Sequence, residues 1–399
     1  MAEGKAVITA VARTPFGRFN GALRGLSTAR LGAMAMDEAL RRANLDASAV
    51  DAAYMGCGMI GAATLTPARQ AVLLSELPET TPSFAVDRAC CSGMTAIGSG
   101  WKDIRLGEAK AVLCGGSDNL SATPMTLPRS RERMIGKFEV GDPLLLRGEV
   151  VDKAIACYTA EEALRHGVDR SQQDDWAASS HERYFEADEQ GYFDFERFPV
   201  EVKGTKGASL TVTVDESPRT DTTREKLASL RTVYDSETIT AGNAPGLNDG
   251  AAFLVLAEEA WARAHGLPVL AQVLDYVQVA DGATSGSYTP AIGIARLLGR
   301  NNLQVDRVDA LEINEAFAAT PLVSTLRLAE NDPGRTEALR GKTNHRGGAV
   351  AIGHPLGASG TRLAMTLVNG LRRRGGGLGA AAICGGFGQG DALLLKVDG

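Results

Sequence analysis

Ala111-Val112-Leu113-Cys114-Gly115-Gly116 and Ala381-Ala382-Ile383-Cys384-Gly385-Gly386 end alike, each an apolar run of strand character closed by Cys-Gly-Gly. Each also follows a segment with helical patterning that is opened by Ser-Gly, at Ser92-Gly93 and at Ser359-Gly360. Glycine is abundant, with 46 copies, so a single match of this kind carries little. The same order of elements around both copies points to two duplicated α/β halves.

Outward from the first copy, apolar runs at 5–10, 52–57, 83–86 and 109–115 read as strands, separated by amphipathic segments that would cover a sheet. Ser27-Thr28 is placed to cap a helix reaching to about residue 42. Beyond residue 121 the character changes: Pro124 and Pro143 interrupt the pattern, charges become dense, and a polar helix is expected over 171–190. A strand at 250–256 restores the earlier style. The expected organisation is a first α/β half from 1–121 and 247–270, an inserted loop domain at 122–246, and a second half at 271–399.

The composition excludes several classes of function. A chain of 399 residues, 44% hydrophobic and 23% charged, is long enough for two or three packed units. Its 42 basic and 48 acidic residues give a net charge of −6 with no long run of either sign, which argues against a nucleic-acid partner. No apolar run approaches membrane-spanning length and the N-terminus has no leader pattern, so no membrane partner and a cytoplasmic location are expected. Cys57, Cys90, Cys91, Cys114, Cys157 and Cys384 are widely scattered without zinc-site spacing. They are expected to be free thiols, one or two of them chemical, with no metal bound.

Four segments carry candidate chemistry. Val86-Asp87-Arg88-Ala89-Cys90-Cys91-Ser92-Gly93 places Cys90 where a short strand should turn into a helix. A helix N-terminus there would lower the thiol pKa and expose a nucleophile; the alternative is a buried structural cysteine. Gly347-Gly348 through His354-Pro355-Leu356-Gly357 sets one imidazole in a glycine-rich loop ahead of the repeated helix, although a lone histidine is more often structural. Cys384-Gly385-Gly386-Phe387-Gly388 is either half of an oxyanion hole or a plain glycine hairpin. Glu312-Ile313-Asn314-Glu315 reads as a strand breaking into a helix, with Asn314 as its N-cap by default. A dinucleotide-binding reading fails because no Gly-x-Gly-x-x-Gly follows the first strand.

Together these segments resemble the thiolase superfamily, in order and along almost the whole chain. The likeness extends to Arg13-Thr14-Pro15-Phe16-Gly17, Gly115-Gly116-Ser117-Asp118-Asn119, Ala241-Gly242-Asn243-Ala244 and Asn248-Asp249-Gly250. It implies a duplicated, five-layered α-β-α-β-α fold, an inserted loop domain over a coenzyme A site, and a homodimer or homotetramer. It further implies CoA-dependent cleavage of a 3-oxoacyl-CoA, or the reverse Claisen condensation, through an acyl group on Cys90. His354 would take the thiol proton and Cys384 would move the second proton. One oxyanion would rest on His354 with a water held by Asn314, the other on the backbone N–H groups of Cys90 and Gly386. CoA would be substrate and product, with no permanently bound cofactor. It would pass Ala244, Pro245, Gly246 and Phe317, with Arg219 toward its nucleotide.

The chain departs from the family pattern in places. Asp87 and Arg346 stand where the family usually has asparagine, and a carboxylate beside Cys90 would oppose a thiolate. The expectation is a compensating Asp87–Arg346 ion pair. Ile155-Ala156-Cys157-Tyr158 replaces the usual segment before Thr159-Ala160-Glu161, Pro245 replaces a frequent serine, and 285–289 lacks the usual Gly-Pro pattern, so the acyl pocket is expected to be remodelled. Two alternatives share the architecture: a decarboxylating condensing enzyme of the ketoacyl-synthase kind, which pairs cysteine with two histidines or with histidine and asparagine, and a non-catalytic acyl-CoA or lipid carrier. The second thiol, Cys384, and the presence of all four reactive positions favour the thiolase.

Overall fold

Ala6–Arg13 (β1) is buried at every position, as a strand covered on both faces must be. The computed structural model to which it belongs describes residues 4–60, 64–127, 140–146, 148–204 and 208–399. In chain order there follow β2 (Gly17–Arg18), α1 (Thr28–Ala43), β3 (Ala52–Gly56), α2 (Pro67–Leu74), β4 (Ser83–Val86), α3 (Ser92–Leu106) and β5 (Ala111–Asn119). The middle of the chain holds α4 (Ile155–Arg165), α5 (Arg170–Glu189), a hairpin of β6 (Val200–Lys203) and β7 (Ser209–Val212), and α6 (Arg224–Ala228). The last third comprises β8 (Asn248–Glu258), α7 (Glu259–Ala264), β9 (Ala271–Ala280), α8 (Thr289–Arg300), β10 (Ala310–Ile313), α9 (Ala319–Leu328), α10 (Pro333–Gly341), α11 (Ala349–Ile352), α12 (Leu356–Arg373), β11 (Gly377–Gly385) and β12 (Gln389–Val397).

The repeat seen in the letters is a repeat of topology. β3 pairs with β5 in parallel, then β5, β8 and β1 run antiparallel in turn. β10 pairs with β11 in parallel, then β11, β12 and β9 do the same. α3 leads into β5 and α12 leads into β11. The two half-sheets are joined, because β1 also pairs with β9 from Ala6↔Val273 to Ile8↔Ala271, giving one ten-stranded mixed sheet in the order β10-β11-β12-β9-β1-β8-β5-β3-β4 with β2 on β8. α3 and α12 lie between the halves, α1 and α2 cover the first half, and α8 covers the second, which completes five layers.

The central layer is unusually close. A Cβ on Gly93 would stand 2.2 Å from the carbonyl oxygen of Gly357, and one on Gly357 would stand 2.5 Å from that of Gly56. Only glycine lets α3 and α12 meet backbone to backbone here. α12 starts at Leu356, three residues ahead of the expected Ser359, because Pro355 occupies its N-cap with φ already fixed. The polar helix expected over 171–190 is α5, started by Asp169 and Gln172 in a reciprocal capping box.

The segment between β5 and β8 leaves the sheet and returns. A buried ionic hub fastens it: Arg13, at the end of β1, donates from Nε to Glu196 Oε1 at 2.7 Å and from Nη1 to Asp215 Oδ1 at 2.7 Å. A bidentate guanidinium with both partners in place tolerates such burial, and loss of one partner would leave a stranded charge.

Gly93→Ala should therefore lower stability by about 1–3 kcal/mol, the cost of forcing volume into a filled site. Gly25→Ala, where a Cβ meets nothing within 4 Å, should be neutral. Urea midpoints of the two variants measured side by side check the assignment.

Candidate active site

The turn from β4 into α3 carries Cys90. Ala89 just before it is held at φ +50°, a conformation that costs energy for any residue with a Cβ and persists only where its surroundings impose it. The restraints are local and distant. Arg88 N donates to Ser92 Oγ at 2.8 Å, Ala89 N to Asp87 Oδ1 at 2.8 Å, and Ser92 Oγ to Ala89 O at 2.6 Å. From across the central layer, Asp391 on β12 pairs with Arg88, and it also accepts from Thr95 Oγ1 and Tyr276 OH, each at 2.6 Å. Arg88 Nε adds a bond to Gln389 Oε1 at 3.0 Å.

His354 meets Cys90 from the second half of the chain. Its backbone N–H donates to Asn248 Oδ1 at 2.8 Å, which pins the loop to the start of β8. Its Nδ1 lies 2.6 Å from Ser359 Oγ, and Ser359 Oγ lies 2.8 Å from Pro355 O. The single hydroxyl proton of Ser359 goes to that carbonyl, so Ser359 accepts from Nδ1–H and Nε2 is left with its lone pair. Nε2 stands 3.2 Å from Cys90 Sγ. Asn314 is not a helix cap, since α9 begins only at Ala319. Its amide nitrogen lies 3.5 Å from His354 Nε2, and its Oδ1 is buried without a partner among the described residues. The neighbouring Glu315 anchors the glycine-rich loop, accepting from Trp176 Nε1 at 2.8 Å, Ser180 Oγ at 2.8 Å and Val350 N at 3.0 Å.

The third segment is a glycine turn between two strands, placed beside the Cys90 loop. Gly386–Gly388 is the turn joining β11 to β12, and it lies against the Cys90 loop: a Cβ on Gly386 would be 3.5 Å from that of Ala89. Cys90, His354, Cys384 and Gly386 open on one cavity of about 740 Å³. Ala244, Pro245, Gly246, Phe317 and Arg219 line it as well, so every expected site residue except the underlying Asn314 is on its wall. Arg219 is exposed there, its backbone N–H donating to His181 Nδ1 at 3.2 Å.

A model of the thiolase N-terminal domain matches residues 6–260, and one of the thiolase C-terminal domain matches residues 267–397. The chain belongs to the thiolase family. It is 38% identical to a probable acetyl-CoA acetyltransferase of Mycolicibacterium smegmatis, over 98% of this chain and 100% of that one. It is also 38% identical to a β-ketoadipyl-CoA thiolase of Pseudomonas aeruginosa, over 96% and 97%. The crystal structure of a Bacillus anthracis acetyl-CoA acetyltransferase superposes with a TM-score of 0.92 at 34% identity, covering 99% of both chains. That of human mitochondrial 3-ketoacyl-CoA thiolase superposes with a TM-score of 0.91 at 33% identity, over 99% of this chain and 100% of that one. This thiolase is thus an acyltransferase acting on CoA thioesters, and the condensing-enzyme and carrier alternatives fall away.

Two electrostatic expectations need correction. The Cys90 thiol is not depressed by the helix end. Removal from water, with Cys384 and Asp118 nearby, pushes it well above the usual thiol range. Cys90 itself lies outside the helix, whose first residue is Ser92. Burial likewise lowers His354 to about 3 and pushes Cys384 up to about 12. Both shifts favour a neutral thiol beside a neutral imidazole over a thiolate–imidazolium pair. Nor do Asp87 and Arg346 pair. Asp87 caps its own turn through Ala89 N, whereas Arg346 lies over the Tyr192 ring at 5.1 Å to the centroid. The carboxylate is accommodated by that turn bond without a counter-charge from Arg346.

Sequence reasoning missed Ser359, Asn248 and the Arg88–Asp391 hub. Ser359 had a signal in its spacing: five residues after the histidine and one turn into a helix, it faces back toward the ring. Asp391, some 300 positions from Arg88, had none. Asp118 was quoted only as part of a turn. Its Oδ2 accepts from Gly58 N at 2.9 Å and Gly357 N at 2.6 Å, which ties β5 to the start of α12, and burial raises it to about 7.

Alkylation of Cys90 by iodoacetamide should accordingly be slow at pH 7 and keep rising beyond pH 8.5, as deprotonation of a raised thiol requires. A rate already level between pH 5 and 8 would mean a preformed thiolate–imidazolium pair.

Proposed function

We propose that this thiolase works by a ping-pong exchange through an acyl thioester on Cys90, cleaving 3-oxoacyl-CoA with CoA or running the reverse Claisen condensation. The observation that carries the reading is the 3.2 Å contact between Cys90 Sγ and the unprotonated Nε2 of His354, on a cavity shared with a second thiol. In cleavage the Cys90 proton passes to His354 as sulfur attacks the 3-oxo carbon. The C2–C3 bond breaks, and the acetyl-CoA enolate takes a proton at C2 from Cys384. The Cys384 thiolate then removes the proton of incoming CoA, whose sulfur displaces Cys90. Cys90 recovers its proton from His354, so both thiols and the imidazole end as they began.

Two oxyanions form, and the site offers two donor sets. His354 and a water held by Asn314 serve the thioester oxygen of the acetyl-CoA enolate; the buried, unpaired Oδ1 of Asn314 supports a water there. The 3-oxo oxygen, on the carbon that Cys90 attacks, falls to the amides of Cys90 and Gly386. In the Cys90 turn the amides of Arg88, Ala89, Cys91 and Ser92 are already held by acceptors within it, which leaves that of Cys90.

CoA enters past Ala244, Pro245, Gly246 and Phe317, with residues 122–246 as the loop domain that covers it and Arg219 toward the nucleotide phosphates. No resident cofactor takes part. Self-association as a homodimer or homotetramer belongs to the same reading, supported by the open edge of β4, where Phe84 is exposed and stacks on Tyr54 at 4.2 Å. Work in the cytoplasm fits a chain in which, among the described residues, no helix is long and apolar enough to cross a membrane.

Cys90→Ala should abolish both cleavage of a 3-oxoacyl-CoA panel and the acyl adduct seen by intact mass. Cys384→Ala should still form the adduct from acetyl-CoA while losing about 10²–10⁴-fold in carbon–carbon bond cleavage, the range for a lost general acid. An adduct that survives in Cys90→Ala would refute the assignment.

A further inference from the structure

The reacting oxygens have their donors in the reading above, yet one polar group on the cavity is left over. Tyr158, in the first turn of α4, is only 3% exposed and lines the cavity with Cys90 and Cys384. Its hydroxyl has no hydrogen-bond partner among the described residues. The nearest candidate on its own helix is Glu162, one turn on, and that carboxylate already accepts from Ser287 N at 2.7 Å. Burial, together with the thiols of Cys384 and Cys90, keeps the phenol protonated, so it offers a donor next to the reacting groups.

Leu144, Leu146, Ala156 and Phe387 line the same cavity. Phe387 narrows the space at a cost. It is held at φ +59° between Gly386 and Gly388, and its ring packs so tightly on Gly148 that a Cβ there would be 2.4 Å from it. An alkyl chain filling this space would bury the Tyr158 hydroxyl against carbon and leave it unpaired, whereas an oxygen on the chain would satisfy it. Pockets built in this way reject analogues that lack the matching polar group far more strongly than they reject a change in size.

We propose that Tyr158 is a specificity-determining residue that selects acyl groups carrying a hydroxyl or keto oxygen on the carbons beyond the reacting carbonyl. The proposal rests on acyl transfer to Cys90, and the test separates the two. Acylation of Cys90, followed as CoA release and intact mass, is compared for butyryl-CoA and for 2-, 3- and 4-hydroxybutyryl-CoA, with acetyl-CoA as control. Wild type should acylate about tenfold or more faster with at least one hydroxy isomer than with butyryl-CoA. Tyr158→Phe should erase that preference while leaving the butyryl rate unchanged or higher, and its thermal midpoint should equal that of wild type because no bond within the protein is lost. A wild type that favours butyryl-CoA over all three isomers would overturn the proposal. An equal slowing of every substrate in Tyr158→Phe would also overturn it, since the phenol would then be serving the reacting oxygens. Failure of wild type to acylate even with acetyl-CoA would remove the Cys90 reading itself, and the proposal with it.

Discussion

Backbone contact between α3 and α12 at Gly93 and Gly357 is the constraint on which the rest of this molecule depends. Each helix belongs to one copy of the duplicated unit, and each is preceded by a loop that carries one side chain of the candidate site: Cys90 ahead of α3, His354 ahead of α12. With no side chain between the helices, their starting loops come within a hydrogen bond of one another, at 3.2 Å from Sγ to Nε2. A methyl group at the crossing would press the axes apart, and a hydrogen bond of this kind does not survive a shift of that size.

The same central packing sets the charge state of the site. His354 and Cys384 are largely shielded from water, each only 6% exposed at the cavity wall, which favours the neutral form of both. In the proposed acyl transfer, orientation takes over from charge as the means of activation. Ser359 fixes the tautomer, Asn248 fixes the loop, and the Arg88–Asp391 hub holds Ala89 in a backbone conformation it would not choose alone.

Strain and burial recur where the cavity is shaped. Ala89 and Phe387, both at positive φ without being glycine, flank the two loops that face each other across the site. Phe387 and Tyr158 line the cavity together, the first in a strained backbone conformation and the second bringing a phenol to a wall that also holds apolar side chains. Such a pocket discriminates by whether polar atoms are matched more than by volume.

Much of this was legible in the letters, because duplication copies element order and because the chemistry needs particular residue types at particular turns. Strands alternate with helices by hydrophobic period, Ser83–Val86 was bounded as it stands in the sheet, and Cys90, His354, Cys384 and Asn314 were all marked by their local motifs. What the sequence could not determine were the properties that depend on distance across the chain. The thiol pKa, the partner of Asp87, the use of Asn314 as something other than a cap, and the pairing of Arg88 with Asp391 each turn on which groups lie within a few ångströms after folding. A motif names the residue type and its turn, but burial and long-range contact decide its charge and its direction. Those are set only when the two halves close on each other.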